Sequence, residues 1–67
     1  MDARGLACPL PLAIAKRSMA ELRPGDSLLV LATDPEAPID LAAWAGDEGH
    51  VFRELRPGEF ELVKRIG

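Results

Sequence analysis

The chain has almost nothing to cross-link or chelate with: 67 residues contain one cysteine, Cys8, and one histidine, His50. A single thiol cannot close an intramolecular disulfide, which excludes a disulfide-stapled miniprotein. One cysteine with one histidine also falls short of a structural zinc site, so no metal is expected. Position 11, three after the cysteine, is proline, so there is no C-x-x-C pair and no dithiol redox chemistry. Long apolar runs are missing too. No run is longer than that of residues 28–32, which is too short to cross a bilayer. The opening Met1-Asp2-Ala3-Arg4 lacks the basic and apolar regions of a signal peptide, and the expectation is a reducing cytoplasm and no membrane. Linkers, low-complexity tracts and long repeats are absent, and the expected organisation is one domain over residues 1–67.

What is present is a globular composition, 48% apolar and 28% charged, with a net charge of -3. That balance argues against nucleic-acid binding by bulk electrostatics. The charge is uneven: residues 1–25 carry four basic and two acidic groups, residues 26–67 carry four and nine. The cysteine lies in the basic part.

Leu12, Ala15, Met19 and Leu22 recur at helical spacing, predicting a helix within residues 9–22 whose first turn accommodates Pro9 and Pro11. Consecutive apolar residues in 27–32 predict a strand that is covered on both faces or lies centrally. Thr33-Asp34-Pro35 breaks it, Asp34 being turn chemistry. A second helix is expected from about Ala37 or Pro38 to about Asp47, with Ile39, Ala42, Ala43 and Gly46 on one face and Gly49 ending it. Residues 50–56 and 59–66 flank Pro57-Gly58 and read as a hairpin. Phe60, Leu62 and Ile66 should share a face that Lys64 interrupts. A short extended piece at 2–4 is expected to pair at the start. The fold class is α+β: a two-layer sandwich, β-α-β-α-β-β, with two helices packed on one face of a mixed four-stranded sheet.

Cys8 stands at the start of the first helix. Free backbone N–H groups and the helix dipole there favour a thiolate, so a moderately depressed pKa is expected, with Arg4 adding positive potential if it folds back. A buried cysteine packing as a small apolar residue is the other reading. No general base is evident, since a Cys8–His50 pair has no support in the spacing. Trp44 is a core anchor or a docking aromatic. Lys16 and Arg17, with Arg4 and Arg23, are either solvated charges or a basic docking surface.

The stretch Asp2-x-Arg4-Gly5-Leu6-x-Cys8-Pro9-x-Pro11 resembles the CPxP signature of the TusA/SirA-like sulfur carrier proteins. The likeness continues in Pro24-Gly25-Asp26, the apolar strand, Asp34-Pro35 and Asp40-Leu41, covering about residues 2–45. It implies that Cys8 carries sulfane sulfur as a persulfide, while Gly5, Leu6, Pro9 and Pro11 shape its presentation. By the same resemblance the partners are a cysteine desulfurase or rhodanese-like donor and a downstream acceptor protein in tRNA thiolation, sulfur oxidation or cofactor assembly. Arg4, Lys16 and Arg17 would support docking. No cofactor is implied, because the transferred atom rides on the protein, and a monomer is expected because the sulfur must be exposed. In this reading the chain is a sulfurtransferase acting as a carrier rather than a multiple-turnover enzyme on a small substrate.

Two departures from the pattern stand out. Leu10 occupies the position between the prolines where tRNA-thiolation members have glutamate, and little chain precedes Arg4 to form a first strand. The alternatives are a non-catalytic regulatory or interaction module of the same fold, and a small RNA-binding domain by analogy with the C-terminal domain of a bacterial translation initiation factor. The net charge disfavours the last.

Overall fold

The computed structural model describes residues 1–66. Helix α1 spans Leu10–Ala20, strand β1 Ser27–Leu31, helix α2 Ala37–Glu48, strand β2 Val51–Arg56 and strand β3 Glu59–Val63. The three strands form one antiparallel sheet in the order β1-β3-β2, and both helices pack on one face of it. The fold is thus α+β in two layers, and each expected helix and the C-terminal hairpin are present.

The expected fourth strand is reduced to a single parallel bridge, Asp2 to Leu31. The N-terminal segment does run along the open edge of β1: the Ala3 N–H donates to Leu31 O (2.7 Å) and the Leu31 N–H to Met1 O (2.9 Å). It goes no further because Arg4 and Gly5 turn the chain away, with the Arg4 N–H and guanidinium both donating to the Asp2 carboxylate. The sheet is therefore three-stranded, and its mixed character is confined to that bridge.

Strand β1 is not central; β3 is. The β1–α2–β2 connection leaves a gap beside β1, and the hairpin after β2 lets β3 fill it, pairing Leu29 with Glu61 and Arg53 with Glu61 on either side. Val30 is buried beneath the helices, whereas Leu29 on the opposite face is 47% exposed. The continuous apolar run of β1 is thus half core and half open sheet face.

The core joins Ala15 and Met19 of α1, Ala37, Leu41 and Ala45 of α2, and Val30, Ala32, Phe60 and Leu62 from the sheet side. Alanines at helical spacing bring the helix backbones close to the strands, and Phe52 stacks on Phe60 with ring centroids 5.7 Å apart. The inward face of α2 is 37/41/45 with Trp44 half-buried, not the expected 39/42/43/46; Ile39 is 67% exposed. The helix is apolar nearly all round, so periodicity alone could not set its phase. Packing chose the face carrying the larger Leu41 and Trp44. Gly49 does end α2, in the left-handed conformation (φ 78°), its N–H capping Ala45 O and Gly46 O.

Phe60 and Leu62 are buried together, but Ile66 lies beyond the end of β3 and is 81% exposed. Lys64, the apparent break in the pattern, has a structural task. Its ammonium donates to Met19 O (2.9 Å) and Leu22 O (2.6 Å), satisfying carbonyls at the end of α1 and meeting the negative end of its dipole.

Two outcomes follow for stability. Leu41→Ala removes a fully buried side chain and should cost about 2–5 kcal/mol, whereas Ile39→Ala should stay within about 0.5 kcal/mol, both read by urea denaturation. Lys64→Met keeps the stem but loses two charge-assisted hydrogen bonds, and should lower stability by about 1–3 kcal/mol in the same assay.

Candidate functional site

Both helices begin at the same end of the sheet, and the site is built where their first turns meet. The chain reaches it through Gly5, whose φ of 81° favours glycine and whose N–H donates to Thr33 Oγ1 (2.9 Å). Leu6 follows, half-buried, its N–H on Ala3 O. Pro9 is the N-cap of α1, and the Cys8–Pro9 peptide is cis. Pro11 is buried in the first turn. These four residues place Cys8, half-buried, immediately before the helix.

The turn between β1 and α2 then fastens this loop. Asp34 Oδ2 accepts the Cys8 N–H (3.0 Å) and Asp34 Oδ1 accepts the Glu36 N–H (2.8 Å). Asp34 performs the turn chemistry expected of it and also ties the two helix starts together. The Cys8 thiol in turn donates to Asp40 Oδ2, in the first turn of α2. The sulfur and carboxylate oxygens of Glu36 and Asp40 lie within 4.8 Å of one another; proximity alone does not make this a cation site.

The electrostatics reverse the expectation for the thiol. Its pKa is pushed up from 9.0 to about 11, first by the hydrogen bond to Asp40, then by loss of solvent, then by the negative charges of Asp40, Glu36 and Asp34. The helix start offers little in return. Pro11 has no N–H, and the Leu10 N–H is spent on Ala7 O (2.9 Å). Three carboxylates outweigh a helix terminus with so few free donors. Nor does Arg4 contribute: it is ion-paired with Asp2 at 2.9 Å, which holds the Asp2 carboxyl down at about 2.

The remaining candidates lie elsewhere. Lys16 lines a groove between the C-terminal halves of the helices, with Trp44, Asp47 and His50, at the opposite end from Cys8. Arg17 is exposed in the last turn of α1. His50 accepts the Arg65 N–H on Nδ1 (3.0 Å) and packs on Trp44 with centroids 5.1 Å apart, so it forms no pair with the thiol. Trp44 is both half-buried against the core and part of that groove. Leu10 is 50% exposed beside the cysteine.

Asp40 is the residue that pattern reading passed over as a catalytic-site group. Its signals were its place in the matched Asp40-Leu41 pair and an acid in the first turn of a helix that starts at the same pole as the cysteine. That pole becomes visible only once both helices lie on one sheet face.

The shifted groups set a pH profile for stability. Asp34 has its pKa lowered by the Cys8 and Glu36 N–H groups. Its contribution is present above its unfolded value of 3.8 and lost as pH falls through the folded one. Cys8 binds its proton more tightly when folded, so its contribution is complete below 9.0 and lost as pH rises towards about 11. Urea denaturation across pH should show Asp34→Asn flattening the acid limb. The wild-type advantage over Cys8→Ala should shrink through the alkaline window.

Sequence relatives identify the family, and a solved structure shares the fold. The chain matches the family model described as sulfurtransferase TusA over residues 1–66. It is 50% identical over 64 residues to the putative sulfur carrier protein YrkI of Bacillus subtilis, covering 96% of this chain and 84% of that one. To the sulfur carrier protein TusA of Allochromatium vinosum it is 38% identical over 68 residues, covering 97% and 90%. Among solved structures, the SirA-like protein from Desulfitobacterium hafniense superposes with a TM-score of 0.72 at 31% identity, covering 92% of this chain and 88% of that one. The chain belongs to the TusA sulfurtransferase family.

Proposed function

We propose that this protein is a sulfur carrier that accepts sulfane sulfur on Cys8 as a persulfide and hands it to a partner protein. The observation that carries the reading is the placement of the chain's single thiol, half-buried, at the pole where both helices begin, on a loop pinned by Asp34 and Thr33. A sulfur handed between proteins needs a rigid, reachable support rather than a deep pocket. With no second cysteine in the sequence, the bound persulfide cannot be discharged as an internal disulfide and waits for its acceptor.

The transfer balances without an added oxidant or reductant. The Cys8 sulfur attacks the outer sulfur of a donor persulfide and forms a new S–S bond. The donor's own S–S bond breaks, its electron pair leaves on the inner sulfur, and that sulfur takes up the proton Cys8 gives up. The donor is a cysteine desulfurase or rhodanese-like protein, and the acceptor lies further along a thiolation, sulfur-oxidation or cofactor-assembly route. Gly5, Leu6, Pro9 and Pro11 fix the loop. Exposed Leu10 puts an apolar contact beside the sulfur, so partner choice differs from carriers with an acidic residue there. Among the described residues no helix is long and apolar enough to cross a membrane. A cytoplasmic monomer is the working reading, because a sulfur passed between proteins must stay exposed.

The raised thiol pKa favours a second reading, a non-catalytic interaction module of the same fold. Intact-protein mass spectrometry after incubation with a cysteine desulfurase and cysteine separates the two. The carrier gains the mass of one sulfur, reversibly by reductant, and Cys8→Ser does not. No gain under conditions that load an established carrier would leave the interaction module.

A further inference from the structure

Cys8 spends its thiol hydrogen on Asp40, a contact that the sulfur-carrier reading, on which this inference rests, does not require. The carboxylate belongs to the first turn of α2, yet it meets the sulfur from across the helix pair. Every charged group that bears on the thiol is acidic: Asp40 and Glu36 at the start of α2, and Asp34 in the turn before it. Among the described residues no cation offsets them, Arg4 being held by Asp2. We propose that Asp40 is the acid–base residue of the transfer: it holds Cys8 as an oriented, neutral thiol in the free protein and passes the thiol proton to the departing donor sulfur during loading.

The chemistry of the step makes this arrangement useful. A neutral thiol is a poor nucleophile, so the unloaded carrier resists small electrophiles and oxidants. When a donor persulfide is in place, the S–S bond forms at Cys8 as the donor S–S bond breaks, and the leaving sulfur develops negative charge. The Cys8 proton moves to Asp40 Oδ2 and from there to that sulfur. Asp40 ends the step as the carboxylate it was at the start, and the donor is released as a thiol. Glu36 and Asp34 play a different part. Glu36 acts on the sulfur through its charge alone, and Asp34 is occupied by two backbone N–H groups.

Two measurements on Asp40→Asn should move in opposite directions. The first is the pH dependence of alkylation by iodoacetamide, which needs no donor. The midpoint should fall from about 11 towards 9.0. Each unit of that fall gives about tenfold more thiolate at a pH below both midpoints, partly offset by lower intrinsic nucleophilicity, for a net gain of about threefold in rate. Glu36→Gln should shift it less. The second is the single-turnover rate of persulfide loading from a cysteine desulfurase, which should fall about tenfold or more despite the extra thiolate. Asp40→Glu should restore both towards wild type.

Asp40→Ser, which keeps a polar residue at the helix start, repeats the test if the asparagine variant loses its far-ultraviolet dichroism. An unmoved alkylation midpoint in a folded variant would overturn the proposal. So would loading that speeds up in step with alkylation, since Asp40 would then be only a brake. If wild type itself takes no sulfur while Asp40→Asn shifts the midpoint, the relay falls together with the carrier reading. The thiol-holding contact then stands alone as measured.

Discussion

One carboxylate holds the two halves of the site together. Asp34 accepts the backbone N–H of Cys8 on one oxygen and that of Glu36 on the other, so the loop before α1 and the turn before α2 share an anchor. The geometry at the thiol depends on that shared anchor. Without it, the backbone of the cysteine loop would lose its direct tie to the turn before α2, leaving the Gly5 contact to Thr33 and the thiol contact to Asp40. With it, two helices distant in sequence present their first turns side by side, and Asp40 comes within reach of the sulfur.

The same arrangement explains why a helix start does not acidify this cysteine. A terminus attracts anions through free N–H groups, and here a proline and a turn hydrogen bond have removed two of them. The second helix contributes its own first-turn acid, placed to complement its own dipole but close enough to dominate its neighbour's thiol. Two ordinary choices, proline at one helix start and aspartate at the other, together give a thiol that keeps its proton. For a carrier this separates stability of the unloaded state from reactivity during transfer, because reactivity then depends on a partner being present.

Much of the scaffold was legible before any coordinates. Helix α1, the Pro-Gly turns, the glycine stop at 49 and the hairpin all rest on local chemistry, and local chemistry is written residue by residue. Failures came where one element's state depends on another. The apolar run of β1 looked central because both its faces are apolar, yet only one is covered. Helix α2, apolar nearly all round, left its buried face undetermined until Leu41 and Trp44 met the sheet. Lys64 looked like an error in a strand pattern until the end of α1 arrived above it.

The sequence by itself determined that one thiol, followed by two prolines at a helix start, is the group to watch, and that it has no second thiol to react with. Its family resemblance was legible in the same few residues. The tertiary structure decided which way the pKa of that thiol moves and which neighbour moves it. Charge acts through space, and the carboxylates around Cys8 lie 26 to 32 residues away along the chain. Counting positive residues in the first third of the sequence pointed to a basic setting. Folding spent Arg4 on Asp2 and left Lys16 in a groove at the other pole, so the sulfur meets acids instead.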